Sequence, residues 1–82
     1  MKNNNFTNKN QVIEVDLGGL EYVNFTFQSY KELKEEYESS LCDLLECEFP
    51  IISEWGNEVM LSCTHVKYII LYLEMKFFNK KL

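Results

Sequence analysis

Apolar and polar positions alternate twice near the start of the chain. From Gln11 to Leu17, Ile13, Val15 and Leu17 fall on one side, and Val12, Glu14 and Asp16 on the other. A period of two predicts a half-buried strand. From Glu21 to Phe27 the pattern returns, with Val23, Phe25 and Phe27 against Tyr22, Asn24 and Thr26. Gly18-Gly19 lies between them and tolerates the positive φ angles of a tight turn, so the two runs are expected to form a hairpin. The period then changes. Tyr30, Leu33, Tyr37, Leu41, Leu44 and Leu45 recur at three- and four-residue steps opposite Lys31, Glu32, Lys34, Glu35, Glu36, Glu38 and Asp43. That is an amphipathic helix reaching about Cys47. Ser29 and Glu32 fit a capping box at its start. Ser39-Ser40 offers a break at which a second short helix could be capped, and Phe49-Pro50 a stop.

Ile51 to Asn57, with Trp55-Gly56-Asn57, suits a loop, and Glu58 to Leu61 a short third strand. Ser62 or Thr64 caps a closing helix running to about Phe78. The order β-β-α-β-α predicts an α+β fold, a small three-stranded antiparallel-type sheet with two helices packed on one face. Residues 1–10 are expected to be a flexible polar tail and residues 11–82 a single α+β domain.

The closing helix has almost no polar side: ten of the thirteen residues from Val66 to Phe78 are apolar or aromatic. Val66, Ile69, Ile70, Leu73 and Phe77 form the stripe expected to face the sheet. Tyr68, Leu71, Tyr72, Met75 and Phe78 occupy the other side. Either the first helix and the Trp55 loop cover this second set, or it is a partner-binding patch, homodimerisation included.

Composition sharpens these readings. The chain has 82 residues, 46% of them hydrophobic, which supports a packed core rather than disorder. Net charge is −5 and every basic residue is lysine. Without arginine the chain lacks the bidentate contacts that read phosphate and base edges, which argues against direct nucleic-acid binding. An acidic protein suits a basic partner. Glu32, Glu35, Glu36, Glu38 and Asp43 are then either a solvated face or a row of carboxylates that mimics phosphates before the basic cleft of a nucleic-acid-handling enzyme. Abundant lysine and asparagine without arginine is the composition of AT-rich coding DNA, as in a low-GC bacterium, a phage or mobile element, or an AT-rich eukaryote. The first ten residues lack the apolar run of a secretory signal, and no stretch reaches the ~20 apolar residues of a membrane span. Three cysteines with no framework spacing suggest reduced thiols and a cytoplasmic protein. The sequons at Asn5 and Asn24 then have no consequence.

Candidate chemistry is sparse. Cys42, Cys47, Cys63 and His65 could supply a Cys3His zinc site. On one helix, however, Cys42 and Cys47 stand about 140° apart at roughly 100° per residue. Thiols that behave as small core hydrophobes are the expectation. Cys63 and His65 could form a nucleophile–base couple but have no orienting carboxylate. Gly18-Gly19 lacks the following helix of a phosphate-binding loop. No catalytic residue, metal or cofactor is expected, and no enzymatic activity.

One family pattern is present. Val15 to Val23 around Gly18-Gly19, Leu41 to Glu46, and Glu58 to Leu61 leading into His65-Val66 and Tyr72-Leu73 follow one another in an order that resembles the front part of the Skp/elongin-C/BTB adaptors. The resemblance spans Ile13 to Phe78 and implies a module that assembles protein complexes. Those families carry their partner-gripping helices beyond this part, so it places no site here. The leading expectation is a non-enzymatic protein-binding protein, a small acidic inhibitor or antagonist of the anti-CRISPR-like kind that phages and mobile elements encode. The adaptor is the alternative.

Overall fold

The structure is a computed structural model that describes residues 10–41 and 48–78. Strands β1 (Ile13–Gly18) and β2 (Glu21–Phe25) form the expected antiparallel hairpin, with Val15 opposite Val23 and Ile13 opposite Phe25. Ile13, Val15 and Leu17 are buried while Glu14 and Asp16 are exposed, as the alternation requires. The turn is one residue later than expected. Gly19 and Leu20 are its central pair, at φ 60° and 68°, the positive angles a primed hairpin turn demands. Gly18, at φ 90°, sits where the register shifts, and its N–H donates to Asp16 Oδ1 at 2.8 Å.

Helix α1 (Phe27–Ser40) begins two residues before the expected cap. Its capping box is Thr26 with Ser29, not Ser29 with Glu32: the Ser29 N–H donates to Thr26 Oγ1 at 3.1 Å, and the Thr26 N–H to Ser29 Oγ at 2.8 Å. This shortens β2 and turns Phe27 into the helix, where its ring meets Phe77 and Phe78 at 5.5 and 5.6 Å. The helix ends at the serine pair. Ser39 and Ser40 hydroxyls donate back to the Glu36 and Tyr37 carbonyls, a competition that weakens a helix end. Leu41 follows in the left-handed region, φ 57°, and is exposed, which corrects its expected place on the apolar stripe. Cys42, Asp43, Leu44, Leu45 and Cys47 lie outside the described residues.

The main departure comes next. Phe49-Pro50 was expected to stop a helix and Ile51 to open a loop. Instead, Glu48–Ile52 is a strand, β3, paired antiparallel with β4 (Glu58–Ser62) through Phe49 opposite Leu61 and Ile51 opposite Val59. Pro50 has no N–H for a ladder, and an edge strand accepts that. The connecting turn is closed by Ser53 N–H to the Asn57 carbonyl (2.8 Å) and Gly56 N–H to the Ser53 carbonyl (2.9 Å). β4 pairs with β3 and not with either strand of the first hairpin. The fold is α+β, but the described residues form two separate two-stranded sheets rather than one three-stranded sheet.

Helix α2 (Cys63–Phe77) starts at Ser62, whose Oγ accepts the His65 N–H at 3.1 Å. Its stripe Val66, Ile69, Ile70, Leu73 and Phe77 is buried as expected, with Val66, Leu73 and Phe77 fully so. Ile13, Val15, Leu17 and Phe25 from the first hairpin join the same core as Phe49, Ile51 and Leu61 from the second, with Tyr30 and Leu33 of α1. Cys63 is buried, as expected, but is disulfide-bonded rather than a reduced thiol. An odd cysteine count leaves room for one bridge.

A polar clamp ties the helices. Glu74 Oε2 on α2 accepts from Tyr30 Oη at 2.8 Å and from Lys34 Nζ at 2.7 Å. Burial first, then the bond to Glu74, pushes the Tyr30 phenol up from 10.0 to about 12. The bond to Glu74 also raises Lys34.

Two predictions follow from this packing. Leu73→Ala should lose about 2–5 kcal/mol in denaturant unfolding, the range for truncating a fully buried leucine. Tyr30 holds its proton more tightly folded than unfolded. Its contribution should therefore be complete below pH 10 and decline as pH rises towards about 12. Tyr30→Phe should flatten the stability profile across that window, and an unchanged decline would refute the assignment.

Candidate functional site

The carboxylates of α1 face water. Glu32, Glu35, Glu36 and Glu38 are all exposed, and none forms an ion pair among the described residues. The interleaved lysines make their closest contacts to other groups, although Lys34 still feels the charge of Glu38. Lys34 turns to Glu74, and Lys31 Nζ sits 5.6 Å from the centre of the Phe27 ring. Helical rotation splits the four into groups. Glu32 and Glu36, one turn apart, line a groove of about 390 Å³ between the hairpins. Its apolar walls come from Val23 and Phe25 of β2, Leu33 of α1, and Phe49 and Ile51 of β3. Glu38 lines a smaller groove of about 190 Å³ between α1 and α2, with Lys34, Lys67, Leu71 and Glu74. Glu35 is exposed and lines neither groove. Asp43 is outside the described residues.

The rim of the larger groove has a third carboxylate that the periodicity argument missed. Glu58, the first residue of β4, stands opposite Ile52 and lines the groove beside Glu32 and Glu36. A signal existed in the apolar pair Ile51-Ile52 next to Trp55-Gly56-Asn57. Two short strands flanking a glycine turn would have placed Glu58 at a hairpin's start.

The second stripe of α2 divides. Tyr68 (64%), Leu71 (37%) and Tyr72 (39%) are exposed. Met75 is half-buried. Phe78 is half-buried too, its ring against Phe27 and Tyr30 at 5.6 and 6.1 Å. The first helix thus covers the end of the stripe. The Trp55 loop covers none of it: Trp55 is itself 65% exposed and meets Tyr22 edge-on at 5.8 Å. What the structure brings together as a surface is therefore Tyr68, Leu71 and Tyr72, with Lys76 Nζ 5.6 Å from the Tyr72 ring centre.

The hairpin tips are pinned at the other end of the fold. Glu54 donates its N–H to the Tyr22 carbonyl at 2.8 Å and accepts the Asn24 N–H on Oε2 at 3.0 Å. Asn57 Nδ2 donates to Glu21 Oε2 at 2.9 Å. One residue thereby occupies the outer edge of β2 at two positions.

Of the residues with candidate chemistry, Cys42 and Cys47 lie outside the described residues. Cys63 is held in its disulfide, and His65 is exposed at the start of α2. Among the described residues no group of His, Cys, Asp and Glu is placed to hold a metal ion, and no helix is long and apolar enough to cross a membrane. No family model, curated protein or solved structure matches the chain.

The two sides of α2 should respond differently to charge. Leu71→Asp should shift stability by no more than about 1 kcal/mol, in line with other surface changes. Ile70→Asp, one residue away and buried, should leave too little structure to give a cooperative melt. Thermal unfolding by circular dichroism separates them, and unfolding of the Leu71 variant would make that position core.

Proposed function

We propose that the protein acts without catalysis, by binding another protein, and that it is a small acidic inhibitor or antagonist of a partner with a basic surface. The observation that carries this reading is the state of α1. Its glutamates are exposed and form no ion pair within 4 Å among the described residues, while Lys34 pairs with Glu74 and Lys31 lies over the Phe27 ring. Carboxylates a turn apart on a helix are about 5–6 Å from one another, a dense row of negative charge. A basic nucleic-acid-binding cleft is the kind of target such a row would occlude, consistent with a phage or mobile-element origin of anti-CRISPR-like type. Exposed charge of one sign accelerates encounter and selects the partner more than it adds affinity.

A second reading has its own support. The exposed Tyr68, Leu71 and Tyr72 are residues suited to an apolar interface, as in an adaptor of the Skp/elongin-C/BTB kind or a homodimer.

Affinity capture from host extract, followed by titration of the identified partner, tests both. Reversal to lysine at Glu35, Glu36 and Glu38 should weaken binding by at least about tenfold and flatten its dependence on salt. Unchanged affinity would remove the electrostatic reading. Loss of binding in Leu71→Asp alone, with the glutamate variant unaffected, would transfer the interface to α2.

A further inference from the structure

We infer that the groove between the two hairpins is a receptor for one arginine side chain of the partner protein. This rests on the proposed function and changes its geometry, from a convex acidic face that enters a cleft to a concave site that receives a basic residue.

Shape and charge argue together. The groove is lined by the apolar Val23, Phe25, Leu33, Phe49 and Ile51 and by three solvent-exposed carboxylates, Glu32, Glu36 and Glu58. A ligand matching that arrangement is apolar along its length and cationic at its tip, which describes a long basic side chain. Its methylenes would lie on the apolar walls, leaving the charge among the glutamates. Arginine fits better than lysine. Its planar guanidinium presents five donors, enough to reach more than one carboxylate, and it leaves water more readily than an ammonium. Glu32 and Glu36 lie one helical turn apart on α1 and Glu58 comes from β4, so the groove offers acceptors from two elements.

Two other occupants are disfavoured by facts of the chain. A second copy could offer only lysine, the poorer match, because the sequence has no arginine. An added β-strand along β2 meets Glu54, which already holds the Tyr22 carbonyl and the Asn24 N–H. The occupant is therefore a side chain of a different protein rather than a strand or a dimer mate.

The test uses the full chain, isotopically labelled, titrated with acetyl-Ala-Arg-Ala-amide and with the same peptide carrying citrulline, the neutral near-isostere of arginine. The arginine peptide should produce saturable amide shifts centred on Val23, Phe25, Leu33 and Ile51, and the citrulline peptide should not. Glu32→Gln with Glu36→Gln should weaken the arginine peptide about tenfold, as the loss of a charge-assisted contact predicts, while Glu35→Gln should leave it unchanged. Equal binding of the citrulline peptide, or shifts centred on Glu35, would overturn the inference. If Glu32→Gln with Glu36→Gln has no effect on the peptide while Glu35→Lys with Glu38→Lys still releases the captured partner, the groove inference fails and the proposed function stands.

Discussion

Two hairpins that share no ladder are held in one body by the buried stripe of α2. Val66, Ile69, Ile70, Leu73 and Phe77 lie in the same core as β1 and β2 on one side and β3 and β4 on the other. Each hairpin alone would be marginal, since an isolated two-stranded sheet cannot bury enough surface in water. The helix supplies the missing face for both. The Glu54 bonds to β2 and the Asn57 bond to Glu21 set the relative position of the hairpins at their tips, but these are exposed contacts. The apolar helix provides the cohesion.

Bridging two hairpins has a consequence for charge. A groove remains where β2 and β3 flank α1, because neither strand pairs with the other. The same packing places Glu74 against Tyr30 and Lys34. Pairing one helix lysine inward leaves the glutamates of α1 to the solvent and the groove. Core packing and surface electrostatics are thus linked through one carboxylate on α2. The ion pair itself adds little stability where Lys34 is half exposed. Its larger effect is on which charges the surface presents.

Local pattern was a good guide where one interaction dominates. The alternation of Ile13, Val15 and Leu17 survives in the fold because a period of two admits only one buried face. The buried stripe of α2 was legible for the same reason at helical period. The reading failed where two rules compete. Pro50 is both a helix stop and an acceptable edge-strand residue, and only the pairing of Ile51 with Val59 decides between them. Missing β3 displaced everything that depends on it: the number of sheets, the position of Glu58 and the existence of the groove. The capping box shifted by three residues for a similar reason. Two candidate pairs were present, and the aromatic contacts of Phe27 with Phe77 and Phe78 favour the earlier one.

The division of the closing helix shows where local pattern ends. Periodicity sorts its apolar residues into two sides, since side-chain direction follows from backbone geometry alone. It cannot assign a cover to the second side, because cover comes from elements far away in the chain. Phe78 is sheltered by Phe27 and Tyr30 from the other helix, while Tyr68, Leu71 and Tyr72 are left outside. The acidic helix follows the same rule. Its charges and their spacing are written in residues 32 to 38, but the apolar walls beside Glu32 and Glu36 arrive from β2 and β3, through contacts that only the folded chain makes.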